Sequence, residues 1–369
     1  MNILLLANHL DVGGISSYLL TLAGGLTQRG HNVYLACEGG SLVHRFTAGG
    51  NRGFVAVPTR TKGEFNPLRL YKSMRILRRL VKEKGIDIVH SNTRVTQVLG
   101  ELLAGSTDAC HVSTCHGFFK KRLLRRIFPC WGKETIAISR QVADHLVRDL
   151  GVHEKNIEVI YNGIDLARFS GAALAARQSF RQLLGLGEKP LVGIIARLSD
   201  VKGHCYLIQA MPRVVRRFPE AKLLIIGEGK TESSLREQVR SLGIEQSVIF
   251  MPTAEDTAAA LAAMDVFVLP SLQEGLGLSL MEAMASGLAV VGSAVGGIQD
   301  LLRQGENGLL VQRADADALA TEIIGLLSDG EKRRRLGSAA RKSMQEKFSQ
   351  ERMCLETERV YLKCVNKEN

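Results

Sequence analysis

Short apolar runs alternate with longer stretches of helical periodicity along the whole chain. In the first half the runs read NILLLAN, NVYLAC, GFVAVP, DIVHSN, HVSTCH, ETIAIS and IEVIYN, and in the second half LVGIIAR, KLLIIGEG, VIFMP, DVFVLPS, LAVVGSA and GLLVQ. Segments with helical spacing lie between them, for example over residues 16–30 and 68–85. Alternation of this kind predicts parallel sheets that carry helices on both faces.

A break near residues 166–188 separates the two sets of strands. We therefore predict an α/β chain with two doubly wound domains, over 1–168 and 188–344, joined by a linker at 169–187. The remainder, 345–369, is predicted to be helical because no further apolar run of strand type appears. Two doubly wound domains predict a ligand cleft at the carboxyl ends of their strands.

Composition and charge fit a globular protein with an anionic partner. The chain has 369 residues, 45% of them hydrophobic, and a net charge of +11. Residues 1–169 contain 23 Lys and Arg against 13 Asp and Glu, whereas the rest contains 25 against 24. The excess positive charge therefore belongs to the N-terminal half, and it indicates nucleic acid, an anionic membrane or a phosphorylated substrate as a partner.

The cysteines and the N-terminal stretch indicate a cytoplasmic protein. Seven scattered cysteines form no CxxC pair and no metal-ligand pattern, so we expect reduced, buried thiols. The opening MNILLLANHL is apolar but too short to span a bilayer, and it lacks a basic leader and a cleavage site. We interpret it as a first strand rather than a signal peptide.

The stretch EGLGLSLMEAMASG (274–287) places two carboxylates at a predicted strand-to-helix junction. Ser279 and Glu282 have the spacing of a capping box, in which the side chains satisfy free helix amides, and Ser271 and Glu274 share that spacing. A ligand-binding role is the alternative. This pattern alone leaves both interpretations open.

Two further groups are candidates for binding an anion. Gly13 and Gly14 stand where the first strand turns into its helix, so backbone amides could approach a phosphate there, although an ordinary turn would use glycine too. Arg197 and Lys202 follow the first strand of the second domain, with Gly203 behind them. Two cations in that place suit a diphosphate whose charge grows as a bond breaks; an exposed basic loop is the alternative.

Taken together, these motifs resemble the retaining glycosyltransferases of family 4, which have the two-domain GT-B fold. VGGIS, CHG, VIYNGID, IIARLSDVKG, LLIIGEG, DVFVLPSLQEGLGLSLMEAMASGLAVVGS, GGIQDLL and NGLLV follow in that family's order and spacing, over nearly the whole chain. The resemblance implies transfer of a sugar from a nucleotide-sugar donor to a lipid-linked or envelope-glycan acceptor. It also implies that no metal or other cofactor is needed and that the C-terminal helix crosses back to the first domain.

The resemblance also implies a role for individual residues. Glu282 would accept hydrogen bonds from the ribose, and Glu274 would meet hydroxyls of the donor sugar. Arg197 and Lys202 would stabilise the leaving diphosphate, and His116, in CHGFF, would line the sugar pocket. The expected catalytic residues are His116, Arg197, Lys202 and Glu274. The expected donor-binding residues are Gly13, Gly14, Arg197, Lys202, Glu274, Gly275, Leu276, Gly277 and Glu282.

Two other functions are compatible with such a fold. One is a nucleotide-sugar enzyme of another reaction type, such as an epimerase or a phosphorylase, although no lysine context typical of pyridoxal phosphate is present. The other is a non-catalytic binder of sugar nucleotides or nucleic acid. The intact set of Arg197, Lys202, Glu274 and Glu282 argues against a non-catalytic protein.

Asp315 and Asp317 form the D-x-D pattern of metal-dependent glycosyltransferases. They precede ALATEIIGLL, a segment with clear helical spacing. Aspartates at the start of a helix cap it and oppose its dipole, so we predict capping and no metal.

The stretch FFKKRLLRRIFPCWGK (118–133) has six cations, four large aromatics and no acid. A solvated basic helix is one interpretation. The aromatics favour contact with an anionic membrane or a lipid-phosphate acceptor, and the basic run 69–84 adds charge. This would place the protein on the inner face of the cytoplasmic membrane. Nucleic acid is disfavoured because no known binding module is present, and the sequence gives no indication of the oligomeric state.

Overall fold

The computed structural model of the protein describes residues 1–59, 67–120, 125, 127–170 and 173–366. The chain divides into two compact units. The first contains Met1–Gly163 and Gln350–Asn369, and the second contains Ile164–Ser349.

The first unit is built on a seven-stranded sheet in the order β3-β2-β1-β4-β5-β6-β7, with all neighbouring strands parallel. The strands are β1 (Asn2–Leu6), β2 (Asn32–Cys37), β3 (Gly53–Ala56), β4 (Ile88–Ser91), β5 (Cys110–Cys115), β6 (Glu134–Ala137) and β7 (Ile157–Val159). The helices between them are α1 (Gly14–Gln28), α2 (Val43–Ala48), α3 (Pro67–Lys84), α4 (Arg94–Ala104) and α5 (Arg140–Leu150).

Alternate residues of β1 explain why the strands read as continuous apolar runs. Ile3 and Leu5 pack into the core beneath α1, whereas Leu4 and Leu6 pack into a second core beneath α3 and α4. Side chains of a strand alternate between its two faces, so a sheet covered on both sides needs apolar residues at every position. The predicted doubly wound arrangement follows from this pattern.

The second unit is built on a six-stranded parallel sheet in the order β10-β9-β8-β11-β12-β13. Its strands are β8 (Leu191–Ile195), β9 (Lys222–Ile226), β10 (Val248–Met251), β11 (Val266–Leu269), β12 (Ala289–Ser293) and β13 (Leu309–Val311). Its helices are α6 (Ala167–Ser170), α7 (Ala173–Leu183), α8 (His204–Arg217), α9 (Glu232–Ser241), α10 (Ala258–Ala263), α11 (Leu278–Ala285), α12 (Ile298–Leu301), α13 (Ala316–Ser328) and α14 (Gly330–Lys347).

The order of strands reverses at one point in each sheet, between β1 and β4 in the first unit and between β8 and β11 in the second. In open parallel sheets, ligands bind at the carboxyl ends of the strands on either side of such a reversal. The loops that follow these four strands are therefore the places to look for functional side chains.

The segment 169–187, expected to be a linker, lies within the second unit. Its helix α7 packs against α10, and Arg177 donates to the carbonyl oxygens of three consecutive residues at the end of α10, Ala262, Ala263 and Met264. Arg177 and the buried Arg181 both pair with Asp265, at 2.9 Å and 3.3 Å. Two arginines thus hold this helix against the second unit.

The last helix, α15 (Gln350–Asn366), belongs to the first unit and packs on α1. Gln350 donates to the carbonyl oxygen of Thr21 at 2.8 Å, and Glu358 accepts a hydrogen bond from His31 at 2.7 Å. The helix begins at Gln350, whereas 345 was predicted, because α14 continues to Lys347.

One pair of cysteines differs from the expectation that the thiols are free. Cys110, at the start of β5, is joined to Cys364 of α15 by a disulfide, with 6.2 Å between their Cα atoms. Cys37, Cys115 and Cys354 are buried, as predicted, whereas Cys130 and Cys205 are only partly buried, and none of these five takes part in a disulfide. The pairing could not be read from spacing, because 254 residues separate the two cysteines and only the return of α15 brings them together.

Within the part of the chain that the structure describes, no helix is both long enough and apolar enough to cross a membrane.

Candidate active site

Lys202 and Glu274 lie in the loops that follow β8 and β11, on the two sides of the strand-order reversal in the second unit. Lys202 Nζ donates to Glu274 Oε2 at 2.6 Å, and Ser271 Oγ donates to the same oxygen at 3.0 Å. Only 21% of the lysine side chain and 10% of the glutamate side chain are exposed. The Ser271–Glu274 spacing therefore forms a direct side-chain bond beside a cation, not a helix cap.

Glycines allow the loops around this pair to touch. Gly203 has a φ of +69°, and a Cβ there would lie 1.9 Å from the carbonyl oxygen of Pro270. Gly296 has a φ of +52°, and its Cβ would lie 1.8 Å from the carbonyl oxygen of Glu274. A larger residue would clash with backbone at either position, so the loops after β8, β11 and β12 meet only because these residues are glycine.

Glu282 lies on α11 and is held by a residue that the sequence did not indicate. The helix begins after Gly277, whose φ is +99°, and no side chain caps it, so the predicted capping box between Ser279 and Glu282 is not formed. Glu282 Oε2 instead accepts a hydrogen bond from Thr257 Oγ1 at 2.9 Å. Burial raises the pKa of Glu282, and the hydrogen bond from Thr257 opposes this in part.

The remaining predicted donor-binding residues of this unit lie in the same loops. Arg197 is exposed and lies two positions after the last residue of β8. Leu276 is buried and packs against Gly297, so its side chain serves the packing of the loop. Gly275 places its carbonyl oxygen beside the same glycine, where a Cβ on Gly297 would come within 2.4 Å.

His116 follows β5 in the first unit, beside the reversal between β1 and β4. Its Nε2 lies 2.9 Å from Oδ1 of Asn92, which directly follows β4. The ring of Tyr18, from α1, meets the imidazole edge-on with 4.8 Å between ring centroids. Burial lowers the pKa of His116 to about 3, so the ring is neutral at physiological pH.

Comparison with known proteins identifies the family. The profile of Glycosyltransferase Family 4 matches residues 12–168, and that of Glycosyl transferases group 1 matches 176–343. The phosphatidyl-myo-inositol mannosyltransferase of Mycolicibacterium smegmatis is 30% identical over 335 residues, which cover 87% of this chain and 83% of the relative. The chain belongs to the family 4 glycosyltransferases. An uncharacterised glycosyltransferase of Methanocaldococcus jannaschii is 27% identical over 95% of this chain and 94% of its own length.

Solved structures confirm the predicted GT-B fold of this glycosyltransferase. Anabaena HepE, crystallised with UDP and glucose, superposes with a TM-score of 0.87 at 22% identity, over 98% of this chain and 100% of HepE. A glycosyltransferase from Rickettsia africae superposes with a TM-score of 0.86 at 20% identity, over 100% of this chain and 99% of that protein.

Gly13 and Gly14 lie at the exposed start of α1 in the glycosyltransferase, one turn ahead of Tyr18. Gly13 is the N-cap residue without a side-chain cap, and a Cβ there would meet nothing within 4 Å. No packing contact requires glycine at Gly13. Its role in donor binding stays a prediction.

The basic–aromatic stretch 118–133 lies partly outside the described residues, which omit 121–124 and 126. Of the four aromatics, Trp131 is buried and therefore part of the core. Arg125 stacks on Phe119 with 4.2 Å to the ring centroid. Ile127 and Phe128 are large exposed apolar residues among those described here, and contact of the stretch with a membrane stays a prediction.

Asp315 is the N-cap of α13, as predicted, and its Oδ1 accepts from the backbone N–H of Ala318 at 2.8 Å. Asp317 lies in the first turn of the helix, almost fully exposed. The D-x-D pattern is thus explained by helix capping, and independence of a metal stays a prediction.

Sequence reasoning missed several residues that support the site: Asn92, Tyr18, Thr257 and Gly296. A signal existed for Asn92, because a polar residue directly after a strand beside the reversal lies where ligands bind. Thr257 gave no such signal, since its contact with Glu282 depends on the path of the loop after β10.

Proposed function

We propose that this glycosyltransferase moves a sugar from a nucleotide-sugar donor to a lipid-linked or glycan acceptor, with retention of the anomeric configuration and without a metal. The observation that supports this most strongly is the Lys202–Glu274 pair at the strand-order reversal, with Glu282 on the helix that follows. The cation and the carboxylate that would face the sugar then lie on the loops after β8 and β11, and the carboxylate that would face the ribose lies on the helix that follows.

Lys202 and Arg197 would hold the diphosphate. An ammonium group has three N–H donors, and the bond to Glu274 uses one, so two are left for phosphate oxygens. The helix α8 begins at His204, directly after this loop, and its N-terminal amides add positive potential. These groups stabilise the charge that develops on the leaving diphosphate.

Glu282 would accept hydrogen bonds from the ribose hydroxyls. Its half-buried carboxylate receives a single described hydrogen bond, from Thr257, so it has further capacity to accept. HepE, which shares this fold, was crystallised with UDP and with UDP-glucose, and this supports a nucleotide-sugar donor.

Retention without a protein nucleophile fits the state of Glu274. One of its oxygens accepts from both Lys202 and Ser271, and such bonds lower the nucleophilicity of a carboxylate. The acceptor hydroxyl would instead attack the sugar on the face from which the diphosphate leaves, and a phosphate oxygen of the leaving group would take its proton.

The exposed face of α3 would bring the protein to an anionic membrane surface. Arg75, Arg78 and Lys82 recur at helical spacing on that face, and Leu68 and Tyr71 beside them are 80% and 69% exposed. Cations flanking exposed apolar side chains are typical of a helix that lies at a membrane interface. A relative named for transfer to phosphatidyl-myo-inositol supports a lipid acceptor.

Calorimetry with UDP, GDP and ADP, followed by turnover with the matching sugar donors, tests this function. We expect one diphosphate to bind in the presence of EDTA, and NMR of the product to show the anomeric configuration of the donor. Failure of all three diphosphates to bind, or an inverted product, would contradict the proposal. Release of free sugar or an isomerised donor would instead indicate another reaction type.

A further inference from the structure

Asn92 is oriented by two backbone carbonyls before it contacts His116. Its Nδ2 lies 3.3 Å from the carbonyl oxygen of Leu6 and 3.3 Å from that of His90, and it donates to both. The amide nitrogen is thereby committed to acceptors, so the amide oxygen must be the atom that faces His116. That oxygen can only accept a hydrogen bond.

The bond between these residues consequently determines where the imidazole proton lies. Nε2 of His116 is 2.9 Å from the amide oxygen of Asn92, so Nε2 must carry a hydrogen to donate. Because the ring is neutral, Nδ1 then carries a lone pair. Among the residues the structure describes, none bonds to that nitrogen.

We infer that Asn92 is a positioning residue that holds His116 in the Nε2–H tautomer, so that Nδ1 accepts a hydrogen bond from a substrate hydroxyl group. The inference rests on the proposed function for the identity of the substrate. What is inferred is the direction of the hydrogen bond: Nδ1 of His116 accepts it from the ligand and does not donate it.

A buried chain of hydrogen bonds holds Tyr18, the second residue in contact with His116, in place. Tyr18, which packs edge-on against the imidazole, lies with its hydroxyl 3.2 Å from Thr114 Oγ1. Thr114 is 2.6 Å from His90 Nε2, and His90 Nδ1 is 2.6 Å from the hydroxyl of Tyr361 on α15. The last helix of the chain thus anchors the ring that confines His116.

Three titratable groups of this hydrogen-bond chain are uncharged at neutral pH. They are Tyr18 from α1, His90 from β4 and Tyr361 from α15; burial raises the pKa of both tyrosines and lowers that of His90 to about 3. No neighbouring charge among these three competes with Asn92 in determining the tautomer.

Histidine-selective ¹⁵N NMR of the full-length protein tests the tautomer directly. We expect Nε2 of His116 to be protonated and Nδ1 to be unprotonated from pH 8 to pH 5, with His116→Asn used to assign the signals. A proton on Nδ1, or an imidazolium at pH 6, would overturn the inference. This result does not depend on activity, so it stands apart from a failure of the proposed function.

Kinetics of Asn92→Leu, compared with Ser91→Ala, test the positioning role. Ser91 is the adjacent buried residue on β4, and its Oγ bonds to a different histidine, His111 Nε2, at 2.8 Å. We expect both variants to lose stability and to bind the nucleoside diphosphate normally. Only Asn92→Leu should lower kcat, by about tenfold for one lost hydrogen bond, and show mixed tautomers.

A milder change, Asn92→Ser, keeps the comparison valid if the leucine variant does not fold. Donors and acceptors that each lack one hydroxyl group then identify the hydroxyl that bonds to His116. Loss of that hydroxyl should lower turnover by the parent but not turnover by Asn92→Ser. If the Asn92 and Ser91 variants differ from the parent only in melting temperature, His116 is not positioned by Asn92 and the inference fails.

Discussion

Lys202 donates a hydrogen bond from Nζ to Oε2 of Glu274 at 2.6 Å, although the two residues are 72 positions apart in the chain. The bond joins the loops after two adjacent strands, and both side chains are mostly buried. Removing one partner of a buried ion pair leaves the other charge without compensation, which costs more than the pair contributes.

Lys202→Met should therefore destabilise the protein by about 2 kcal/mol and abolish binding of the nucleoside diphosphate. Glu274→Gln keeps an acceptor oxygen and should bind the free diphosphate at least as tightly as the parent, but with lower turnover. The double variant should regain most of the lost stability without regaining activity. Urea denaturation of the four proteins measures this coupling, and strictly additive losses would show that the pair contributes nothing.

Glu282→Gln should show opposite effects on stability and on binding. Burial raises the pKa of this carboxyl, so the ionised form is disfavoured in the folded state. The neutral glutamine should raise the melting temperature of the ligand-free protein at pH 7.5. It should weaken binding of the diphosphate by about tenfold to a hundredfold, since a bond to a charged acceptor is worth about 1.5–3 kcal/mol.

The pH dependence of that stabilisation has a definite sign. Because the pKa of Glu282 is raised in the folded state, this carboxyl contributes stability to the parent at low pH. The contribution is lost as the pH rises through the folded pKa. The gap in melting temperature between Glu282→Gln and the parent should thus be absent near pH 4 and widen toward neutral pH. Ser279→Ala is the control: it probes the capping box that is not formed and should leave the gap unchanged.

Three histidines whose pKa is lowered in the folded state should make the protein sensitive to acid. Burial lowers the pKa of His90 and His116 to about 3, and burial together with Lys202 lowers that of His204 to about 4. The folded state takes up these protons less readily than the unfolded chain, so stability should be complete above about pH 6.5 and fall as the pH drops toward 4.

His204→Leu isolates one of these contributions. Around pH 5 it should reduce the slope of the unfolding free energy against pH by about 1 kcal/mol per pH unit. The reason is that the variant lacks the one proton that His204 takes up when the parent unfolds. The variant His153→Gln, at an exposed position, serves as the control for the loss of a histidine side chain. A parent whose unfolding free energy is flat between pH 7 and pH 5 would contradict this account.

The exposed basic face of α3 should hold the protein on anionic membranes. Arg75→Gln combined with Arg78→Gln should weaken binding to vesicles of anionic lipid by about 2 kcal/mol, at about 1 kcal/mol per charge. Arg148→Gln combined with Lys155→Gln removes the same charge from exposed positions elsewhere in the first unit. Equal losses for the two pairs in vesicle sedimentation would show a general effect of charge rather than a docking face.

The sequence could predict the strands and the main groups of the site because those signals are local. A strand buried on both faces is apolar throughout, as β1 is, and the residues that end such strands are found by counting forward. Lys202 and Glu274 are candidates by that count, whereas their assignment to ligand binding depends on the resemblance to family 4. The capping interpretation of Ser279 was wrong because Gly277, with its positive φ, starts the helix two residues earlier.

What the sequence could not show are contacts that depend on loop paths and on the return of the last helix. The bond between Thr257 and Glu282 joins separate loops, and the disulfide joins residues 254 positions apart. The partnership of Asn92 with His116 likewise requires β4 and β5 to be neighbours, which their order in the chain allows but does not determine.

Because α15 packs on α1, substitution by alanine should change the stability in opposite directions at two adjacent glycines of α1. A Cβ on Gly25 would lie 2.4 Å from Sγ of Cys354, which is buried, whereas a Cβ on Gly24 would lie 3.6 Å from Nε2 of Gln350, an ordinary contact. Both glycines are interior to α1, where alanine is favoured by about 0.5–1 kcal/mol. Gly24→Ala should therefore stabilise the protein by about that amount.

Gly25→Ala should instead destabilise it by about 1–3 kcal/mol, because the added methyl group forces α15 away from α1. The same displacement would move Tyr361 away from His90, so the turnover of this variant should fall although the change lies two turns along α1 from Tyr18. The melting temperature and the turnover of the two variants measure the effects on stability and on activity. Each variant is a control for the other, because the two positions are adjacent and gain the same helix propensity. Stabilisation by both alanines would mean that α15 does not pack on α1 as closely as the structure shows.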